Sequence, residues 1–204
     1  SLLPAYRGAA PIQWALINGD EETGLSTFFI APKVDTGAVI CRDRLPIRPD
    51  DNYGVLSERM GSLGSDLLVK TINLIKSGST SAIKQNDNKV TLAPKITKDM
   101  TIIDWSKPAR ELHNLVRGLT PTPGAATIIK GKRIKIQETR VDNDNNGSNY
   151  LPGEITAIKK SIVTVQTGKG YLLIHRVQLE GKKTMDIGSF MNGFTLNIGD
   201  RFGN

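Results

Sequence analysis

The chain has 204 residues, 38% apolar and 23% charged, with 27 Lys and Arg against 20 Asp and Glu. This composition fits one or two folded domains with enough chain to bury a core in each, and no stretch approaches the roughly eighteen uninterrupted apolar residues of a membrane-spanning helix. The single cysteine, Cys41, excludes an intrachain disulfide and a thiolate metal cluster and fits a cytosolic setting. Charge is unevenly placed. Residues 1–100 carry twelve basic against eleven acidic side chains and residues 101–204 fifteen against nine, so nearly all of the +7 surplus lies in the second half. Such asymmetry points either to a polyanion-binding module or to a surface kept soluble by its lysines, because net charge speaks to association and not to fold.

Ser1-Leu2-Leu3-Pro4 reads as a short extended piece, since Pro4 keeps Leu3 out of the helical region and two leucines can anchor one side of it. Arg7-Gly8 makes a turn where backbone can approach another group. A helix then opens at Ala9-Ala10-Pro11, carries Ile12, Ala15 and Leu16 inward, and stops at Asn18-Gly19. Residues 25–30 read as a buried strand running into the loop 31–37, which places Asp35 just past the strand's C-terminal end, where α/β folds put chemistry. Residues 38–47 read as a second, edge-like strand. From Tyr53 a long helix follows, with Val55, Leu56, Met60, Leu63, Leu67, Leu68, Ile72 and Ile75 at three- and four-residue steps. This helix is expected to pack on the sheet and end at Ser77-Gly78. Residues 79–100 lose any period and read as a linker, whose Lys84, Lys89, Lys95 and Lys98 either meet a phosphate backbone or are simply solvated.

Ile103-Asp104-Trp105-Ser106 opens a new domain, with Ser106 expected as N-cap and Pro108 in the first turn of a helix through Leu119. Five short strands, 126–130, 132–141, 153–159, 162–167 and 170–179, joined by tight turns, suit a small closed barrel, and a short helix over 186–191 precedes a Gly-rich tail. Lys130, Lys132, Arg133, Lys135, Lys159, Lys160, Lys169 and Arg176 fall on these strands and turns, and closed barrels with a basic edge take nucleic acids. Aromatics are few there. Tyr150 and Tyr171 are the stacking candidates, which argues for grip on phosphates over base reading. His113 and His175 lack acidic or Cys companions at ligand spacing, so structural or surface roles outweigh metal, and Cys41 reads as buried packing. No Gly-x-Gly-x-x-Gly and no Walker loop occurs, and Asn146-Gly147-Ser148 fits a glycosylation pattern without meaning in a cytosolic chain.

Four ordered blocks make the chain resemble the folate-dependent formyltransferases: residues 1–4, residues 6–12, Asn18-Gly19-Asp20 with Thr23-Gly24, and Asp35-Thr36-Gly37. The likeness continues through Ile103-Asp104-Trp105. It implies an α/β plus β chain: the C-terminal part of a Rossmann-like formyltransferase domain over residues 1–78, a linker over 79–100 and an OB-like tRNA-binding barrel over 101–204. The family motif carries an Asn and a His a few residues ahead of Ser-Leu-Leu-Pro, and here they are expected ahead of Ser1. Taken alone, the Asp of Asp-Thr-Gly is more often a turn residue capping its own backbone. In the family such an Asp sits beside the His and a water and handles protons while an amine attacks the formyl carbon. The Asn and His stabilise the oxyanion, each such donor being worth about a hundred- to a thousandfold in rate, so residues 1–204 alone are expected to be nearly inert.

Ser1, Leu2, Leu3 and Pro4 resemble the family's tetrahydrofolate-binding segment, although a leucine there also serves to fill core. Val34, with the loop that begins at Ala31, is expected to flank the pterin, chiefly through backbone groups. Ala31-Pro32-Lys33-Val34 stands where an acidic, Gly-containing loop is common, and Ala38 where an acid is frequent. The implied activity is transfer of a formyl group from 10-formyltetrahydrofolate to the α-amine of methionine on initiator tRNA, with folate as donor substrate, no metal, and a cytoplasmic monomer when intact. An amino sugar or a purine precursor as acceptor, or a nucleic-acid-binding module without catalysis, are the alternatives. A sheet lacking its preceding strands is expected to expose an edge and apolar side chains that a partner chain or the missing half would cover.

Overall fold

The computed structural model describes residues 1–142 and 149–203, so the Asn146-Gly147-Ser148 pattern lies outside the described residues. The chain divides into two compact units, Ser1–Ile96 and Thr97–Asn204.

In the first unit the elements run β1 (Arg7–Gly8), α1 (Pro11–Asn18), β2 (Glu22–Phe28), β3 (Val39–Pro46), α2 (Tyr53–Lys76), a 3-10 turn (Asp87–Lys89) and β4 (Leu92–Ala93). Pro11 opens α1, and Gly19, at φ 77°, closes it as a left-handed cap whose N–H reaches the last carbonyls. β2 pairs antiparallel with β3 from Glu22 opposite Pro46 to Phe28 opposite Val39, with a bulge at Thr27 and Phe28. β2 is therefore one half of a two-stranded hairpin, mostly half-buried, where a buried strand of a larger sheet was expected. Residues 1–4 also depart from the extended reading. The Leu3–Pro4 peptide is cis, and the Ala5 N–H turns back onto the Leu2 carbonyl at 3.2 Å.

Ala15 and Leu16 of α1, Ile47, and Leu56 and Met60 of α2 form the core of this unit, with Tyr6, Ile12, Leu25, Leu45 and Tyr53 packed around it. Asn52 caps α2 by accepting the Val55 N–H at 3.0 Å, and Thr27 and Thr71 link β2 to α2 at 2.9 Å. The apolar positions of α2 split into two faces. Leu56, Met60, Leu67 and Thr71 are buried, whereas Val55, Leu68, Val69, Ile72 and Ile75 are each at least 41% exposed. The sequence period does not separate these faces, because both recur at helical spacing. Phe29, Ile30 and Val34 are exposed as well, so the expected uncovered apolar surface is present.

The segment expected as a solvated linker is tied to this unit through residue 96. Ile83 bridges Val39, β4 pairs in parallel with β1, and the Pro94 carbonyl accepts the Trp14 indole N–H at 2.8 Å. Its lack of period reflects an extended strap held by backbone hydrogen bonds, which need no particular side-chain pattern.

The second unit contains a 3-10 turn (Asp99–Thr101), α3 (Ala109–Leu119), β5 (Ala125–Ile129), β6 (Lys132–Asp142), β7 (Ile155–Lys159), β8 (Ile162–Gln166), β9 (Tyr171–Leu179), β10 (Met185–Asp186) and α4 (Ile187–Met191). α3 begins at Ala109 with Pro108 at its N-cap. Ser106, expected there, gives both its N–H (3.1 Å) and its hydroxyl (2.6 Å) to Asp104, and these bonds hold the Asp104 carboxyl below the usual range. α4 is capped by Asp186, which accepts the Ser189 N–H at 2.9 Å.

The five strands anticipated here are antiparallel in the order β5-β6-β9-β8-β7, with β10 against β9. This is an open path, and no pairing joins β5 to β7 among the described residues, so the closed barrel does not form as a hydrogen-bonded ring. Irregular segments take the free edge of β5. The Ala126 carbonyl accepts the Ile103 N–H at 2.9 Å and the Ile128 carbonyl the Gly203 N–H at 2.8 Å. The same C-terminal tail reaches the other edge, where the Ile155 N–H donates to the Asp200 carbonyl at 2.9 Å and the Phe202 N–H to the Gly153 carbonyl at 2.8 Å. Phe202 is 1% exposed and stacks on Trp105 with ring centroids 5.3 Å apart. Phe202→Ala is expected to destabilise the second unit by about 3–5 kcal/mol, the usual cost of removing a buried aromatic ring. Thermal unfolding resolved by unit is the check, and a loss below about 1 kcal/mol would contradict the sealing role of the tail.

Candidate active site and basic surface

Asp35 lies in the loop between β2 and β3 with φ 54°, a left-handed conformation that a short polar side chain tolerates better than most. One carboxylate oxygen, Oδ2, accepts the Gly8 N–H at 2.9 Å. Oδ1 has no hydrogen bond among the described residues, so it is the oxygen available to a water or a proton. Gly8 (φ 132°) is required because a Cβ there would lie 2.5 Å from the Ala93 carbonyl oxygen. Gly37 is required more strongly, since its Cβ would lie 1.6 Å from the Phe29 carbonyl oxygen.

Gln85 completes this arrangement. It is 5% exposed, and its Nε2 donates to the carbonyls of Asp35 and Gly37 at 2.8 Å each. Its Oε1 accepts from Arg7 Nε at 3.2 Å and Nη2 at 2.9 Å. Sequence reasoning missed Gln85, since a lone amide in an aperiodic polar stretch carries no signal. Tyr6 joins two of the motif blocks. Its hydroxyl donates to Asp20 Oδ2 at 2.7 Å and accepts from Asn18 Nδ2 at 3.0 Å, and burial, with Asp20 assisting, pushes its pKa up to about 12.

Ser1, Leu2, Leu3 and Pro4 lie over β2. Ser26 Oγ accepts the Leu3 N–H at 3.0 Å and donates to the Ser1 carbonyl at 2.9 Å, and a Cβ at Gly24 would lie 2.6 Å from Leu2 Cδ2. Leu3, 4% exposed, fills core, while Ser1, Leu2 and Pro4 are half-buried. Val34 is 71% exposed.

In the second unit, strand register brings Lys130, Lys132, Arg133, Lys159, Lys160 and Arg176 to one end of the strands and Lys169 to the opposite end. One of these cations is engaged, and a second faces acidic positions on neighbouring strands. Lys130 Nζ bonds Asp200 Oδ2 at 2.7 Å and the Thr195 carbonyl at 2.9 Å, and Arg176 stands opposite Glu138 and Asp186 in register. Lys132, Arg133, Lys159 and Lys160 are exposed, Lys135 is half-buried, and none of the five has an ion pair among the described residues. Lys182 and Lys183, exposed just past β9, belong to the same end and were not singled out from sequence.

Neither histidine gathers metal ligands, and no group of three or more His, Cys, Asp and Glu is placed to hold a metal ion among the described residues. His113 Nδ1 pairs with Thr139 Oγ1 at 2.9 Å. His175 Nε2 is buried without a partner, and burial, with Arg140 assisting against Glu138, holds its pKa below the ordinary value. Cys41 is half-buried, where full burial was expected. No helix among the described residues is long and apolar enough to cross a membrane.

Two family models account for most of the chain. "Formyl transferase" matches residues 1–72 and "Formyl transferase, C-terminal domain" matches residues 95–195. The chain belongs to the formyltransferase family. It is 44% identical over 202 residues to the methionyl-tRNA formyltransferase of Agathobacter rectalis, covering 99% of this chain and 64% of that protein. It is likewise 44% identical over 205 residues to that of Lactococcus lactis subsp. lactis, covering 100% of this chain and 64% of the relative. The chain thus spans a little under two thirds of the length of these relatives. Among solved structures, HypX from Aquifex aeolicus in complex with tetrahydrofolic acid is similar with TM-score 0.68 at 18% identity, covering 92% of this chain and 34% of that one. At that identity the likeness establishes the formyltransferase fold alone.

Gly37→Ala is expected to lower the first unit's melting temperature by about 5 °C or more, since a backbone oxygen blocks the added methyl. Gly61→Ala, on α2 with nothing within 4 Å of the added atom, is expected to be neutral or stabilising by about 0.5–1 kcal/mol. Equal melting temperatures for the two variants would contradict the loop geometry.

Proposed function

We propose that this chain is part of a methionyl-tRNA formyltransferase, which transfers a formyl group from 10-formyltetrahydrofolate to the α-amine of methionine on initiator tRNA in the cytosol. The observation that carries this reading is the position of Asp35, whose carboxylate has one oxygen fixed by the Gly8 amide and whose backbone carbonyl is held by Gln85. The family motif puts its Asn and His a few residues ahead of Ser-Leu-Leu-Pro, and here Ser1 and Leu3 are hydrogen-bonded to Ser26 on the hairpin that carries Asp35. The Asn and His would polarise the formyl carbonyl, and Asp35 would take the proton released as the amine nitrogen attacks and return it to the folate nitrogen as that nitrogen's bond to the formyl carbon breaks. Residues 1–204 without them are expected to turn over at a small fraction of the intact rate.

In this reading Ser1, Leu2, Pro4 and the backbone beside Val34 contact the folate, while Leu3 supports them from the core. Residues 1–78 belong to a Rossmann-like catalytic domain, with the 79–96 strap completing it, and the tail-sealed sheet of the second unit is an OB-like barrel that holds tRNA. Lys132, Arg133, Lys135, Lys159 and Lys160 grip phosphates, a role that suits the backbone-tracking contacts of such folds. The basic end favours tRNA over an amino sugar or a purine precursor, neither of which needs a row of exposed cations. The exposed face of α2 is covered in the intact protein by the family's remaining length, leaving a monomer, and in isolation it promotes association.

The test uses the protein with the residues encoded ahead of Ser1. Asp35→Asn is expected to lower formylation of methionyl initiator tRNA by about a hundredfold or more with tRNA affinity unchanged. Lys132→Ala with Arg133→Ala is expected to reduce the salt dependence of tRNA binding by about one phosphate contact per residue, whereas Lys130→Ala, already engaged with Asp200, leaves it nearly unchanged. Undiminished formylation in Asp35→Asn, or efficient formylation of an amino sugar in place of the tRNA, would overturn the assignment.

A further inference from the structure

We infer that Gln85 is a positioning residue for formyl transfer, an amide clamp that fixes the Asp35 loop. This rests on the reading of Asp35 as the proton-handling group. The hairpin does not pair the carbonyls of Asp35 and Gly37. Both oxygens instead take one donor each from the Gln85 amide, whose two N–H groups are thereby used in full. The opposite end of the same amide is held by Arg7 through two nitrogens, and Arg7 also reaches Asp87 at 3.3 Å. The amide orientation follows from its neighbours, because a flip would set the oxygen against two carbonyls and the NH2 against a guanidinium. Arg7 adjoins Gly8, whose N–H holds the Asp35 carboxylate. Main chain and side chain of Asp35 are therefore both referenced to β1, one through Gln85 and the other directly.

Loops carrying reactive groups are drawn from the less stable parts of a fold, and an error of about 1 Å in a reacting group can cost about a hundredfold in rate. Asp35 itself sits at φ 54° on a largely exposed loop, so its placement depends on such outside anchors. The strap that carries Gln85 is held independently by the pairing of β4 with β1 and by Trp14 on the Pro94 carbonyl. Removing the Gln85 amide therefore releases the loop without releasing the strap.

The test compares Gln85→Glu with Gln85→Ala in the protein that includes the residues encoded ahead of Ser1. Glutamate is isosteric and still accepts from Arg7, but it has no N–H for the two carbonyls. Both variants are expected to lower kcat about ten- to a hundredfold with KM for tRNA within about twofold, and to speed exchange of the Gly8 amide, which donates to Asp35, and of the Phe29 amide, which donates to Ala38, by tenfold or more while α2 exchanges as before. Arg7→Lys, which loses the two-nitrogen grip on Oε1, is a second variant expected to shift kcat the same way by a smaller factor. Unchanged kcat in Gln85→Glu beside an inactive Asp35→Asn would overturn the clamp alone. Full activity in Asp35→Asn would overturn the reading of Asp35, whereas the exchange rates report on the clamp whatever the activity. A loss that only tracks the unfolded fraction of each variant would reduce Gln85 to a structural residue.

Discussion

The hydrogen bond from the Gly8 amide to Asp35 is the constraint on which the geometry of the Asp35 loop depends. It needs a glycine, since any Cβ at position 8 meets the Ala93 carbonyl, and it needs β1 to be fixed, which β4 provides from eighty-five residues further along. The placement of Asp35 is thus a property of a strap and a turn more than of the hairpin that carries it. The cost of holding an aspartate in left-handed backbone is offset by the hydrogen bonds to Gln85 that fix it, because each carbonyl they satisfy would otherwise be partly buried without a partner.

Much of this was legible in the residues. α1, α2, α3, α4 and the five strands of the second unit follow from period, caps and turn residues, and the Asp-Thr-Gly loop stands out as a motif. What escaped has common physical causes. An isolated Gln85 and a Gly-rich tail are recognised only through backbone partners remote in sequence, and neither leaves a periodic trace. The two apolar faces of α2 share one period, so covered and uncovered leucines and isoleucines read alike. Ser106 has the right chemistry for a cap, but Asp104, two residues earlier, takes its hydroxyl.

The second unit illustrates how a sheet is sealed without its end strands pairing. β5 and β7 each leave an edge, and Ile103, Asp200, Phe202 and Gly203 use those edges' donors and acceptors while Phe202 fills the space between them. Sealing by irregular chain leaves the turns at Lys130-Gly131 and Lys159-Lys160 free of added strands. The cations near those turns stay exposed, while Lys130, drawn onto Asp200, helps hold the tail.

The central claim, that Asp35 is held ready by the β1 amide, is tested most directly by the exchange rate of the Gly8 amide proton in solution. The Gly8 N–H is expected to exchange slowly and to become fast in Asp35→Ala while the buried amides of α2 stay protected. A Gly8 amide that exchanges fast in the unaltered chain, or equally slowly in Asp35→Ala, would contradict it.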